Sequence, residues 1–253
     1  MKRSSGVRAA ATVVVSALTL ALVTACGGDS GGSDAKALSA AELKKAIIAQ
    51  GDVDGYEVDA SGKQLPSKDQ VKSTDDKCRP LANAMGGLPP GDSAVSSTAV
   101  MAKQEKKPTD KPSKSLADMS PEEIQDSLSG AMSLDMTVVG LSSYDGEGAE
   151  ETFKSVSDAV KNCSGGFPFV MQGEDQKPTE VKPEKASGTG DESVAFTVKS
   201  DLEDGDVGTT HVEVVRHGST IATYYTMNLG LMMTDKAYSV PAAVIDAQAA
   251  KLK

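Results

Sequence analysis

The chain has 253 residues, with 36 acidic side chains against 26 basic ones and a net charge of −10. Nucleic acids and other polyanions are bound through basic surface, so this balance excludes them as partners. Only 4% of residues are aromatic and only two are histidine, which leaves little material for a large apolar cavity or a histidine-based metal centre.

Lys2, Arg3 and Arg8 precede an apolar run from Ala9 to Ala25, broken by Thr12, Ser16, Thr19 and Thr24. A membrane-spanning helix needs about 20 predominantly apolar residues. Residues 1–25 therefore read as a secretory signal peptide. Val23-Thr24-Ala25-Cys26 places small residues directly before a cysteine and resembles the bacterial lipobox. That resemblance implies a diacylated Cys26 sulfur, cleavage before Cys26 and an acylated new amino terminus. An ordinary signal peptide cut at an A-x-A-like site is the plainer alternative. Two or three acyl chains anchor stably where one does not. The expected location is then the outer face of the cell membrane. Cleavage removes three basic residues, so the acidic remainder is repelled by anionic headgroups and the lipid must do the anchoring. Residues 26–37 read as a flexible tether and residues 38–253 as one extracellular domain.

Leu38, Ser39, Glu42 and Leu43 carry a helix start: Ser39 caps, Glu42 completes a capping box, and Leu38 staples to Leu43. Leu43, Ala46 and Ile47 form the apolar stripe, and Gly51 stops the helix. A short strand is expected over Tyr56 to Asp59. Cys78, Leu81 and Met85 recur at helical spacing and are halted by Gly86-Gly87 and Pro89-Pro90. Ala94 to Ala102 reads as a strand. The lysine- and proline-rich segment from Lys103 to Asp118 reads as a mobile loop, because it holds almost nothing to bury.

Ser120-Pro121-Glu122-Glu123 starts a further helix, with Ile124 and Leu128 inward. Leu134, Met136 and Val138 alternate with polar residues, as a half-buried strand does. After Asp145, Phe153, Val156, Val160 and Cys163 form one helical stripe closed by Gly165-Gly166. Gln172 to Gly190 reads as a charged, proline-rich loop. Val194, Phe196 and Val198 alternate as a strand. Thr209 to Met227 reads as a hairpin turning near His217-Gly218-Ser219, with Val212, Val214, Ile221 and Tyr225 inward. Ser239 and Pro241 open a last helix that packs Val244, Ile245 and Leu252. The pattern predicts an α+β fold: an antiparallel sheet of about six strands flanked by helices. Once Cys26 is lipidated, Cys78 and Cys163 remain as an even pair in an oxidising space. One disulfide is the expectation and two buried free thiols the alternative.

Chemical motifs are scarce. His211 and His217 share a strand face but stand about 20 Å apart, too far to share a metal. His211 and Glu213 are about 7 Å apart, a spacing that ordinary surface pairs also have. No H-E-x-x-H, G-x-S-x-G or phosphate-binding glycine loop occurs. Ser33 and Lys36 match an S-x-x-K pair only within the tether. The acidic run Asp201 to Asp206 lacks the ligand spacing of a calcium loop. No catalytic residue, metal site or cofactor is indicated.

Several landmarks recur in a fixed order: Cys78-Arg79-Pro80-Leu81-Ala82, Ser143-Tyr144 before a helix ending at Cys163, Gly190-Asp191-Glu192 before a strand, Val214-Val215-Arg216 before a glycine turn, and Pro241 opening a helix with Gln248. Together they resemble a group of Streptomyces-type actinobacterial lipoproteins. That group is distantly similar to the extracellular sensor domain of mycobacterial serine/threonine kinase H. The resemblance implies a cleft suited to a small ligand and a membrane-anchored, non-catalytic binding or sensor-like module. The kinase domain carries two disulfides where this chain can form one, and this chain has no kinase part. A sensor of this kind acts by passing a small ligand or a contact to another envelope protein. The alternative is a lipid or glycolipid carrier lined by Met227, Leu229, Leu231, Met232 and Met233. A hydrolase using acidic residues alone is the least favoured reading.

Overall fold

The computed structural model describes residues 35–106, 118–202, 205–234 and 236–253. Its strands are β1 (Tyr56–Asp59), β2 (Val71–Ser73), β3 (Ser96–Gln104), β4 (Asp135–Ser143), β5 (Phe169–Met171), β6 (Glu174–Gln176), β7 (Pro178–Glu184), β8 (Glu192–Asp201), β9 (Val207–His217) and β10 (Thr220–Asn228). Its α-helices are α1 (Ala40–Ala46), α2 (Arg79–Met85), α3 (Pro121–Met132), α4 (Gly148–Asn162) and α5 (Ala242–Lys251). Seven strands form one antiparallel sheet in the order β1-β3-β4-β10-β9-β8-β7, and β2-β5-β6 form a second, smaller one.

The α+β class and antiparallel pairing match the sequence pattern; the strand number does not. The additional strands come from segments with no alternation long enough to see. β2, β5 and β6 are three residues each. β6 and β7 both lie inside Gln172 to Gly190, which read as a loop. Pro178 and Pro183 caused that reading, yet β7 is the last strand of its sheet, and an edge tolerates a residue that cannot donate to a ladder. At the other charged segment, β3 runs on through Lys103 and Gln104, so the first two residues of the expected loop are strand. Residues 107–117 of that loop lie outside the described residues, as does the side chain of Leu128.

Local signals account for the helices. Ser39 accepts from the Glu42 N–H while Glu42 reaches back to the Ser39 N–H, a closed capping box. Ser120 and Glu123 repeat the arrangement at α3, with Pro121 at its first position. α4 places Glu150 and Glu151 in its first turn and Lys161 in its last, each complementing the helix dipole. The β9–β10 hairpin turns through Gly218 at φ +57, the sign a tight primed turn demands.

Helices cover both faces of the large sheet. On one face α2 and α4 pack Leu81, Phe153 and Val156 against Phe196, Val212, Val214 and Ile221. Cys78 and Cys163 join these two helices by a disulfide across 85 residues. On the other face α1 and α5 pack Leu43, Val244 and Ile245 against Val100, Val139, Leu141, Val215 and Tyr224. β4 is buried from Thr137 to Ser143 on both faces, not on one as its alternation suggested, because it lies between these two layers.

Candidate functional site

The chain enters the domain by adding backbone hydrogen bonds, not by hanging free. The Ala35 carbonyl accepts from the Gly146 N–H at 2.7 Å, and the Ala37 N–H donates to Asp145 Oδ1 at 2.8 Å. The Leu38 N–H donates to Ser143 Oγ at 2.9 Å, and Ser96 Oγ donates to the Leu38 carbonyl. Ser219 Oγ donates to the Lys36 carbonyl at 3.3 Å. Thus 35–37, expected as the end of a flexible tether, is docked on the β9–β10 turn and the residues that follow β4. Its polar composition hid this, because the contacts use backbone groups.

Beside this docked segment lies an open cleft of about 580 Å³. One wall is Leu38 with Glu42, Lys45 and Ala46 of α1. The hairpin supplies His217 to Thr220, and the end of α5 supplies Lys251 to Lys253. Three lysines therefore face one carboxylate in a chain that is acidic overall. Lys251 also pairs with Asp52. The Ser39 hydroxyl and N–H hold the Glu42 carboxyl below its ordinary pKa, so it is ionised at neutral pH. His217 Nε2 is buried with no hydrogen-bond partner among the described residues. Burial pushes the His217 pKa down, opposed by nearby Asp191. Nothing in the sequence marked this cleft, since its residues come from three distant stretches and form no spaced motif.

A second polar cluster lies farther along β9. His211 Nδ1 meets Glu184 at 3.0 Å, and the imidazole packs edge-on against Tyr238. Glu213 accepts from the Ser187 N–H at 2.9 Å and from the Ser187 hydroxyl. Burial raises the Glu213 pKa, as does nearby Glu184, while the Ser187 bonds oppose the shift. His211 and Glu213 are thus no ordinary surface pair. They are 7% and 4% exposed, because Glu184, Ser187 and Tyr238 close over them. The Ser187 hydroxyl binds a carboxylate and the Tyr238 hydroxyl donates to the Thr209 carbonyl, so neither meets the imidazole. Among the described residues no three His, Cys, Asp or Glu side chains are placed to hold a metal.

Several of the landmark residues make contacts within the scaffold. Asp191 accepts from the Gly218 N–H at 2.6 Å and Glu192 accepts from Arg216 Nε at 2.7 Å, which ties the start of β8 to the hairpin turn. Arg79 pairs with Asp92 at 2.8 Å. Tyr144 is fully buried, its hydroxyl 3.1 Å from Ser142 Oγ. Gln248 bonds backbone groups beside α1.

The apolar run expected to line a lipid cavity is partly to largely exposed. Leu229 and Met233 are 51% and 52% exposed, and Met227, Leu231 and Met232 are partly exposed. Cys26 lies outside the described residues, as do Ser33 of the S-x-x-K pair and Glu203 and Asp204 of the acidic run. Among the described residues no helix is long and apolar enough to cross a membrane.

No protein-family model matches the chain, and no curated protein does. Among solved structures, it is similar to the extracellular domain of PknH from Mycobacterium tuberculosis, at 8% identity and a TM-score of 0.48, over 86% of this chain and 95% of that one.

Proposed function

We propose that this chain is a non-catalytic extracellular binding module, held on the outer face of the cell membrane by lipid on Cys26, that takes a small ligand in the cleft between α1, α5 and the β9–β10 turn. The observation that carries this reading is the shared wall. Leu38 lines the cleft, and it also closes the docked segment that leads back toward Cys26. Lys45 and Lys253 favour an acidic ligand, while Lys251 is engaged by Asp52. The imidazole on the cleft wall supports binding over catalysis, because the free nitrogen of His217 is buried.

Native mass spectrometry of the protein purified from its own host tests the cleft. A retained acidic ligand that is lost in a Lys45→Glu/Lys253→Glu variant supports the reading. A ligand kept by that variant overturns it, and so does a wild-type protein that binds no member of a panel of acidic metabolites. Cys26→Ser tests the anchor separately: release into the medium or failure of processing is expected. Unchanged cleavage and membrane attachment would remove the lipid from the proposal.

A further inference from the structure

One transverse row crosses four strands of the large sheet. Glu184 of β7 lies opposite Ala195 of β8, Ala195 opposite Glu213 of β9, and Glu213 opposite Tyr224 of β10. Tyr224 packs with α1 and α5, so the row lies on their side of the sheet. Two carboxylates thus stand on one face with only an alanine between them, about 10 Å apart at the backbone. The loop joining β7 to β8, residues 185–191, folds back across this alanine, and Ser187 bonds Glu213 through its N–H and its hydroxyl. Ser187 itself is exposed, so the loop lies between the carboxyl and water.

The far end of the same loop reaches the lysine-lined cleft. The Asp191 N–H donates to the Arg216 carbonyl at 2.8 Å. The Asp191 carboxylate accepts from the Gly218 N–H at 2.6 Å and from Arg216 Nη1 at 3.3 Å. His217 and Gly218 line the cleft. One short loop therefore connects a buried carboxyl to a cleft wall.

The groups around Glu213 set the direction of its response. Glu184 faces it along the row, and His211, two residues along β9, is held by Glu184. Tyr238, from the segment before α5, packs on His211, and Asp246 of α5 acts on Tyr224. Burial keeps both phenols neutral. The Ser187 bonds favour the Glu213 anion, but burial outweighs them and Glu184 adds to it, so the closed loop favours the protonated carboxyl. Lifting the loop returns the group to water, where the anion is stable.

We propose that residues 185–191 form a proton-controlled strap, closed over a neutral Glu213 and lifted by its anion, which firms the hairpin wall of the lysine-lined cleft in acid and loosens it as pH rises. The consequence for a ligand rests on the cleft reading above, whereas the strap is measured with no ligand present. Amide hydrogen exchange of the full chain, expressed as protection relative to the unfolded rate at each pH, follows it from pH 4.5 to pH 8.

The Ser187, Asp191 and Gly218 amides should lose protection together. The loss should reach up to about tenfold per pH unit between the ordinary carboxylate value of 4.5 and the raised folded value, and then level off. Leu65, whose N–H is bonded to the Gly62 carbonyl in a turn after β1, should stay constant. Glu213→Gln should hold all three amides at their acid protection throughout, with thermal unfolding confirming its fold. Asp191→Asn, an exposed change, should keep the Ser187 response and strip it from Gly218. The proposal is overturned by loop amides whose protection ignores pH, by a response that survives Glu213→Gln, or by a wild-type Gly218 that does not follow Ser187. A cleft that binds no acidic ligand leaves these responses unchanged, so the two readings fail separately.

Discussion

Gln248 and Ile48, 200 residues apart, are joined by a buried hydrogen bond: Gln248 Oε1 accepts from the Ile48 N–H at 3.0 Å. The same amide donates from Nε2 to the Ala46 carbonyl at 2.8 Å. One fully buried side chain therefore satisfies a donor and an acceptor where α1 ends and the chain turns extended. Gln248→Met keeps the volume and strands both backbone groups. It should cost about 2–3 kcal/mol, the scale of leaving buried polar groups unpaired. Urea unfolding measures this, with exposed Lys44→Ala as the near-neutral control.

Two glycines separate backbone sign from available space. Gly190 has φ +71, and a Cβ there would stand 2.4 Å from the Arg216 carbonyl oxygen. Gly218 has φ +57 with nothing within 4 Å. Gly218→Ala should cost only the conformational penalty, about 1–2 kcal/mol. Gly190→Ala adds a clash with backbone that cannot yield, so it should cost clearly more and loosen the hold of Asp191 on the turn. Equal costs for the two would show that the Gly190 contact relaxes freely.

Much of this architecture was legible because short-range chemistry wrote it. Ser39 with Glu42, and Ser120 with Glu123, announced helix starts three residues in advance. The alternation at Phe196 and Val198 and the glycine turn at Gly218 announced strands and a hairpin. The rest depended on partners that no local pattern names. Pro183 looked like a breaker until an edge position made its missing N–H harmless. Val71 to Ser73 is a strand only because Phe169 to Met171 lies beside it. The lysine-lined cleft is assembled by packing the end of α5 against α1, and the docking of Ala35 uses backbone atoms alone.

Glu213 makes stability depend on pH. Its pKa is raised in the fold, chiefly by burial, so the folded state holds its proton more tightly than the unfolded chain does. The associated stabilisation is complete below the unfolded value and is lost as pH rises through the folded one. Glu213→Gln removes that loss. The variant should melt higher than wild type at pH 7–8, and the two should converge below the ordinary carboxylate value of 4.5. A Gln variant that is less stable at pH 8 would show that the ionised carboxylate is better satisfied by Ser187 than burial implies.

The disulfide should carry a large share of the fold's margin. In the chain-entropy model a cross-link over this separation stabilises by about 4–5 kcal/mol. Cys78→Ala/Cys163→Ala should lower the urea midpoint accordingly, and the loosening should appear first in hydrogen exchange of α2 and α4. Alkylation of the unreduced protein should label neither Cys78 nor Cys163.

Both margins of the seven-stranded sheet discourage growth. β1 is four residues long with Glu57 and Asp59 along it, and β7 interrupts its donors with two prolines. A short charged margin and a proline-bearing one are poor templates for an incoming strand. A population of these molecules concentrated in two dimensions would meet edge to edge far more often than in solution. Molecules with such blunted borders, crowded in that way, should resist knitting into fibrils through their sheet margins.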